Sequence, residues 1–97
     1  MALLRREGAA LVVVDVQEGF RPYQSFEAVA RSCAKLLAAA RILGVPALVS
    51  EQYPKGLGHS APELGIEDER TLEKTVFSAA RVEGFDLTGR AQAIVCG

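Results

Sequence analysis

The sequence has few of the residues that build metal sites and disulfide frameworks. Its 97 residues include one histidine, His59, two cysteines, Cys33 and Cys96, and no tryptophan. A single histidine excludes a multi-histidine metal site within this chain. Two cysteines make no disulfide framework, which favours a reducing compartment. We therefore expect no metal and a cytoplasmic location.

Surplus charge and long hydrophobic runs are also missing. Eleven Lys and Arg residues stand against twelve Asp and Glu residues, which leaves a net charge of −1. Such a chain has no basic surplus for binding nucleic acid or an anionic membrane. The longest apolar run, Ala9–Val14, is too short to span a bilayer, and its surroundings lack the small-residue cleavage site of a signal peptide. We expect neither a nucleic-acid nor a membrane partner.

The residues that are present predict a folded α/β protein. Hydrophobic residues make up 49% of the sequence and charged residues 24%, a balance typical of one globular domain or part of one. Ala9–Val14 is a continuous apolar run that ends at Asp15, which is typical of a parallel strand buried on both faces. Val45–Val49 and Ala91–Cys96 are similar runs.

A long helix is predicted from Ser25 to Leu43. Ser25 is a candidate N-cap, and Gly44 supplies a left-handed stop. Apolar residues recur at steps of three and four and form one stripe: Phe26, Val29, Ala30, Cys33, Leu36, Leu37, Ala40 and Leu43. Strand, helix and strand together predict a right-handed βαβ unit.

The remaining connections are less regular. Five Pro and Gly residues punctuate Gln52–Arg70, which predicts a long ordered loop with a turn of helix near Glu67–Arg70. Thr71–Ala79 predicts a short extended segment, and Arg81–Leu87 a short helix at most. One long helix covers only one face of the predicted sheet, and the last strand is apolar to its end. Our hypothesis is that residues 1–97 are the N-terminal part of a larger α/β domain.

Polar residues follow the predicted strands at the edge where open α/β sheets bind ligands. Asp15 comes directly after four aliphatic residues, so its carboxylate needs a cation or several donors; the alternative is a cap for the following turn. Lys74 has apolar neighbours and is a candidate for a half-buried position. The alternative is a surface lysine paired with Glu73 or Asp68.

Two other patterns, the cysteines and a pair of glycines, do not indicate a functional site. Cys96 ends an apolar strand and Cys33 lies on the helix stripe, so both are expected to be inert core thiols. Gly56-Leu57-Gly58 neither joins a strand to a helix nor has a third glycine, since Ala61 stands at that position. It therefore does not form a dinucleotide fingerprint, and no cofactor is expected.

Several segments, in order along the chain, resemble the isochorismatase-like cysteine hydrolases. Leu11–Phe20 resembles the family's opening strand motif, and Glu73–Ala79 its lysine motif. Ile94–Gly97 resembles the strand that leads to its nucleophile. The loop residues Ser50–Gly58, followed by Ala61–Leu64, resemble the subgroup of isochorismatase domain-containing proteins.

This resemblance implies a three-layer αβα fold with a mostly parallel, Rossmann-like sheet and a catalytic Asp–Lys–Cys set. Asp15 would take the Asp role and Lys74 the Lys role. The family's nucleophilic cysteine lies a few residues beyond the glycine that Gly97 matches, so these 97 residues do not contain it, and Cys96 does not replace it. Asp15 would accept the thiol proton, and the cation of Lys74 would favour the developing anion.

The resemblance also implies a small amide or a similar carbonyl compound as substrate, and a homo-oligomer. Gln17, Phe20 and Tyr53 are predicted pocket walls. Relatives resembling nicotinamidase hold a metal with an Asp-x-His motif, but the matching residues here, Ser50–Gln52, include no histidine. We expect no such metal and doubt nicotinamide as substrate. There are two alternatives: a catalytically inactive or truncated relative that serves as a binding or assembly module, and a flavodoxin-like binding domain.

Overall fold

The computed structural model describes residues 3–67, 69–75 and 89–97. Its strands are β1 (Ala9–Val14), β2 (Ala47–Gln52), β3 (Arg70–Lys74) and β4 (Gln92–Cys96). Its helices are α1 (Phe26–Leu43) and the short α2 (Pro54–Leu57), and single 3₁₀ turns span Glu18–Phe20 and Pro62–Leu64. Within the part of the chain that is described, no helix is long and apolar enough to cross a bilayer.

The four strands form one parallel sheet in the order β3-β2-β1-β4. The central strand β1 is buried from Ala9 to Val13, as the unbroken apolar run predicts for a strand with neighbours on both sides. The predicted parallel α/β fold class is confirmed. Because all four strands run in the same direction, their carboxyl ends lie at one edge of the sheet.

Helix α1 packs on one face of this sheet, but its contact is narrower than the sequence predicts. The residues that α1 buries are Phe26, Ala30, Cys33, Leu37 and Ala40. Val29, Leu36 and Leu43 belong to the predicted stripe but are 36–49% exposed, because a helix on a flat sheet buries only its central rows. Gly44 ends the helix in the predicted left-handed conformation. Ser25 is the N-cap residue, as predicted, but its side chain makes no capping hydrogen bond.

Two predicted boundaries differ from the structure. Strand β2 starts at Ala47 rather than Val45 and continues to Gln52, because its last residues pair with β3. The helical turn in the following loop is Pro54–Leu57, where proline occupies the first turn, and not Glu67–Arg70, since Arg70 begins β3. The predictions for residues 76–79 and 81–87 lie outside the described residues.

Strand β4 is an edge of the described sheet and is not buried on both faces, contrary to the prediction. Ile94 and Cys96 pack against the core under α1. Val95 points to the opposite face and is 66% exposed. Burial therefore alternates along β4, as it does in any strand with one covered face.

Candidate active site

Asp15 and Lys74 meet at the carboxyl-end edge of the sheet. Asp15 directly follows β1 and Lys74 is the last residue of β3, so the long lysine side chain crosses the end of β2 to reach the carboxylate. The Lys74 Nζ atom lies 2.8 Å from Asp15 Oδ2. The lysine side chain is fully buried and that of Asp15 is 21% exposed, so the pair is poorly screened and its attraction is strong.

Strand β2 holds the second oxygen of Asp15. The hydroxyl of Ser50 donates a hydrogen bond of 2.8 Å to Asp15 Oδ1, and the backbone N–H of Asp15 donates to the carbonyl of Ser50 at 3.1 Å. Asp15 itself adopts a left-handed backbone conformation with φ of 54°, which Asp tolerates better than most residues. This turn aims the carboxylate at β2 and β3.

Gln52, also on β2, gives Lys74 a second acceptor. Its Oε1 atom accepts a hydrogen bond of 2.8 Å from Lys74 Nζ. Ser50 and Gln52 are two positions apart and share one face of the strand, so they contact Asp15 and Lys74 respectively. Sequence reasoning did not single out Gln52, although the period-two pattern from Ser50 was a signal that points to it.

Gln17 lies in a different place from the predicted pocket wall. Its side chain is fully buried and binds backbone groups on two segments. Its Oε1 atom accepts from the N–H of Gln52 at 2.7 Å, and its Nε2 atom donates to the carbonyls of Gln52 and Gly58 at 2.9 and 2.7 Å. Gln17 is therefore a structural bridge between the end of β2 and the loop that follows it.

A cavity of about 290 Å³ opens beside Asp15. Apart from Asp15 its described lining is uncharged: Val16, Phe20, Tyr23, Ser25, Phe26, Val29 and Gly97. Phe20, one of the predicted pocket walls, is among these lining residues. Tyr53 is 53% exposed and is not among these lining residues.

Most of the lining residues that the sequence did not single out as pocket walls come from the start of α1 and the turn before it. Tyr23, which is 68% exposed, lies with its ring centroid 6.0 Å from that of Phe20. Phe26 and Val29 were predicted as part of the apolar stripe of α1, and both lie on that helix. The sequence did not indicate that this end of the helix lines a cavity.

Glu51 is a second carboxylate at this edge, on the other face of β2. It is buried, and its Oε2 atom accepts from the N–H and hydroxyl of Ser60 at 2.6 and 2.7 Å. His59 Nδ1 lies 3.1 Å from Oε1. Burial acts to raise the pKa of Glu51, but the hydrogen bonds from Ser60 and His59 outweigh it and hold the pKa below its ordinary value.

Cys96 lies at the end of β4 in surroundings that disfavour a thiolate. It packs against the core, and burial together with the neighbouring thiol of Cys33 raises its pKa to about 12. At neutral pH this thiol is protonated, and the thiol is a weak nucleophile. Among the described residues, no group of three or more His, Cys, Asp and Glu side chains forms a cluster that could hold a metal ion.

Comparison with protein families places this geometry in context. Residues 9–97 match the family model described as the isochorismatase domain. Isochorismatase domain-containing protein 2A of Mus musculus is 41% identical over 95 residues, which cover 94% of this chain and 46% of that protein. Isochorismatase domain-containing protein 2 of Danio rerio is 47% identical over 76 residues, covering 77% and 39%. The chain thus spans less than half the length of these curated relatives.

Solved structures show the same similarity. A structure of MAR1 ribonuclease from Caenorhabditis elegans is 40% identical, with a TM-score of 0.71 over 76% of this chain and 41% of that one. An isochorismatase from Pseudomonas putida is 25% identical, with a TM-score of 0.60 over 76% and 45%. Both matches cover less than half of the solved chain.

Proposed function

The chain belongs to the isochorismatase domain family, and from this membership we propose that it is the N-terminal part of a hydrolase acting on a small amide or a related carbonyl compound. The observation that carries the proposal is the Asp15–Lys74 pair at 2.8 Å beside a cavity of about 290 Å³. A carboxylate held next to a buried cation, with part of its surface open to a cavity, is the arrangement expected of a proton acceptor.

In the proposed mechanism the nucleophile is a cysteine that follows Gly97 in the full-length protein. Gly97 lines the cavity, which supports a position within reach of Asp15 for residues a few places further on. Asp15 takes the thiol proton, and the cation of Lys74 stabilises the negative charge that develops on the cysteine sulfur. The thiolate attacks the substrate carbonyl, the C–N bond breaks, and the amine leaves with the proton from Asp15. Water then hydrolyses the thioester.

The cavity favours an uncharged, compact acyl group. Its described lining is apolar apart from Asp15, Ser25 and the Tyr23 hydroxyl. Lys74 is buried behind Asp15, so an anionic substrate would meet the carboxylate first. Aromatic rings from Phe20 and Phe26 suit a flat or aliphatic group of limited size.

We also propose that the reaction needs no metal held by the end of β2. Ser50–Gln52 lie where relatives resembling nicotinamidase carry an Asp-x-His motif. Here Ser50 donates to Asp15, and Gln52 accepts from Lys74. Both side chains are therefore engaged in holding Asp15 and Lys74, which supports the proposal that they do not serve as metal ligands.

The test is a turnover screen with the full-length protein and uncharged aromatic and aliphatic amides, with and without prior thiol alkylation. We expect turnover that alkylation removes and that added chelator leaves unchanged. An RNA oligonucleotide forms a separate arm, because one solved relative is named a ribonuclease. Cleavage of RNA alone would replace the amide by a phosphodiester as substrate class. Absence of turnover on every substrate would favour a binding or assembly module.

A further inference from the structure

Lys74 is held by more than the carboxylate of Asp15. Its ammonium group donates to Asp15 Oδ2 and to Gln52 Oε1, both at 2.8 Å. A lysine side chain is long and flexible, so one ion pair leaves its direction poorly defined. A second acceptor on a neighbouring strand fixes both the direction and the reach of the ammonium group.

Gln52 suits this task because its backbone is fixed on both sides. Its N–H donates to Gln17 Oε1, and its carbonyl accepts from Gln17 Nε2. Gln52 also lies directly opposite Lys74 in the β2–β3 register. An ammonium group has no acceptor, so the amide oxygen of Gln52, and not its nitrogen, must face Lys74.

We propose that Gln52 is a positioning residue, which holds the ammonium group of Lys74 against Asp15 while its own backbone is held by Gln17. The inference rests on the proposed function, because Gln52 serves the reaction only if Asp15 and Lys74 perform it. Gln52 is not part of the described cavity lining, so it acts through Lys74 and not on the substrate.

The contact is tested first without any activity measurement, by lysine acetylation and mass spectrometry of the folded full-length protein. Gln52→Met keeps the length of the side chain and removes the acceptor, whereas Gln52→Glu keeps an oxygen at the same reach. Lys35 and Lys55 are less buried than Lys74 and serve as internal references. Gln24→Met, at an exposed position, is the matched control.

Acetylation of Lys74 should rise about tenfold in Gln52→Met, since a hydrogen bond to a charged group contributes about 1.5 kcal/mol or more. It should stay near the original rate in Gln52→Glu and Gln24→Met. Alkylation of the buried Cys33 monitors general opening of the core. A rise at Lys74 that Cys33 shares equally, or no rise at all, overturns the proposal.

Gln52→Asn covers the case in which Gln52→Met does not fold. It retains the amide but withdraws the oxygen by about one bond length, roughly 1.5 Å, and should also raise Lys74 acetylation; an unchanged rate contradicts the contact.

In the full-length enzyme, Gln52→Met should lower kcat about tenfold with KM nearly unchanged, and Gln52→Glu should restore most of kcat. A changed KM with constant kcat would assign Gln52 to substrate binding instead. If the unsubstituted enzyme turns over nothing, the proposed function fails, and the acetylation result still decides whether Gln52 positions Lys74.

Discussion

Asp15 and Glu51 are carboxylates at the same edge of the same sheet, yet their surroundings differ. Asp15 pairs with a buried cation and a hydroxyl, and part of its side chain borders a cavity. Among the described residues, Glu51 has no lysine or arginine partner such as Lys74 is to Asp15. It binds the N–H and hydroxyl of Ser60 and the ring of His59, and its side chain is only 5% exposed.

The difference separates an acid suited to chemistry from one that holds a loop. A proton acceptor needs an open face toward the reacting group, and Asp15 keeps one. Glu51 uses its oxygens to fasten residues 59 and 60 to β2, so its effect should be on stability. Gln17 connects the surroundings of the two carboxylates, because it binds Gln52 beside the Asp15–Lys74 pair and Gly58 in the loop that Glu51 holds.

The largest effect is expected from Asp15→Asn in the full-length protein. The amide keeps the size and the left-handed backbone but cannot accept the proton, so kcat/KM should fall by about 10³-fold or more. Turnover kinetics and circular dichroism measure the activity and the fold. Glu7→Gln, at an exposed position, should leave both unchanged. Activity within about tenfold of the original would remove Asp15 from the mechanism.

Gln17→Leu should lower the free energy of unfolding by about 3 kcal/mol, because it removes three hydrogen bonds and leaves buried peptide groups without partners. Urea unfolding measures the loss, and Gln24→Leu is the exposed control. A loss below about 1 kcal/mol would show that water replaces the side chain and that Gln17 does not link the end of β2 to the loop at Gly58.

Glu51→Gln should cost about 1–2 kcal/mol at pH 7 and leave turnover nearly unchanged. Because the pKa of Glu51 is lower in the folded state than its ordinary 4.5, its contribution is complete above about pH 4.5. It is lost as pH falls through the lower, folded-state pKa. The difference in free energy of unfolding between the original protein and Glu51→Gln should therefore become smaller below about pH 4.5. Urea unfolding at a series of acidic pH values measures it.

The control for that series is Glu73→Gln. Glu73 is exposed on β3, opposite Glu51 in the strand register, and its replacement should not change the acid dependence. An equal narrowing in both variants would assign the effect to general charge and not to the buried carboxylate. A large loss of turnover in Glu51→Gln would make Glu51 part of the reaction and end its contrast with Asp15.

The smallest effect is expected from Cys96→Ala, which should change kcat by less than about twofold. Its thiol, with a pKa raised to about 12, is protonated at neutral pH and not available as a nucleophile. Turnover kinetics check this, together with slow iodoacetamide labelling of Cys96 at pH 8. Abolished turnover would place the nucleophile within these residues and overturn the proposed downstream cysteine.

Much of the fold follows from local patterns. Ala9–Val14 is a strand at the predicted residues, since an uninterrupted apolar run of this length that ends in three valines is typical of a buried strand. The helix boundaries follow from Gly44 and from the apolar repeat. Strand β2 was predicted too short, because Ser50–Gln52 look like loop residues until β3 pairs with them. Pairing across strands is not visible in a single segment.

The candidate site shows the same division. That Asp15 needs a partner follows from its position after aliphatic residues, and Lys74 was selected by its apolar neighbours. The roles of Gln17 and Gln52 depend on which groups lie within 3 Å of their side chains: backbone groups for Gln17 and the Lys74 ammonium group for Gln52. One glutamine looks like another in sequence. That Tyr53 is a pocket wall stays a prediction, since its side chain is exposed and outside the described lining of this cavity.

The left-handed backbone of Asp15 narrows what this position can hold. Only glycine, asparagine and aspartate adopt such a conformation at low cost, and among these three only aspartate has a carboxylate. Glutamate, the usual replacement for an acid, would retain the charge but strain the turn and move its oxygens past Ser50 and Lys74. The backbone conformation alone would therefore accept three residues at position 15. Only aspartate also supplies the charge that pairs with the buried Lys74 and the acceptor for the proposed proton transfer.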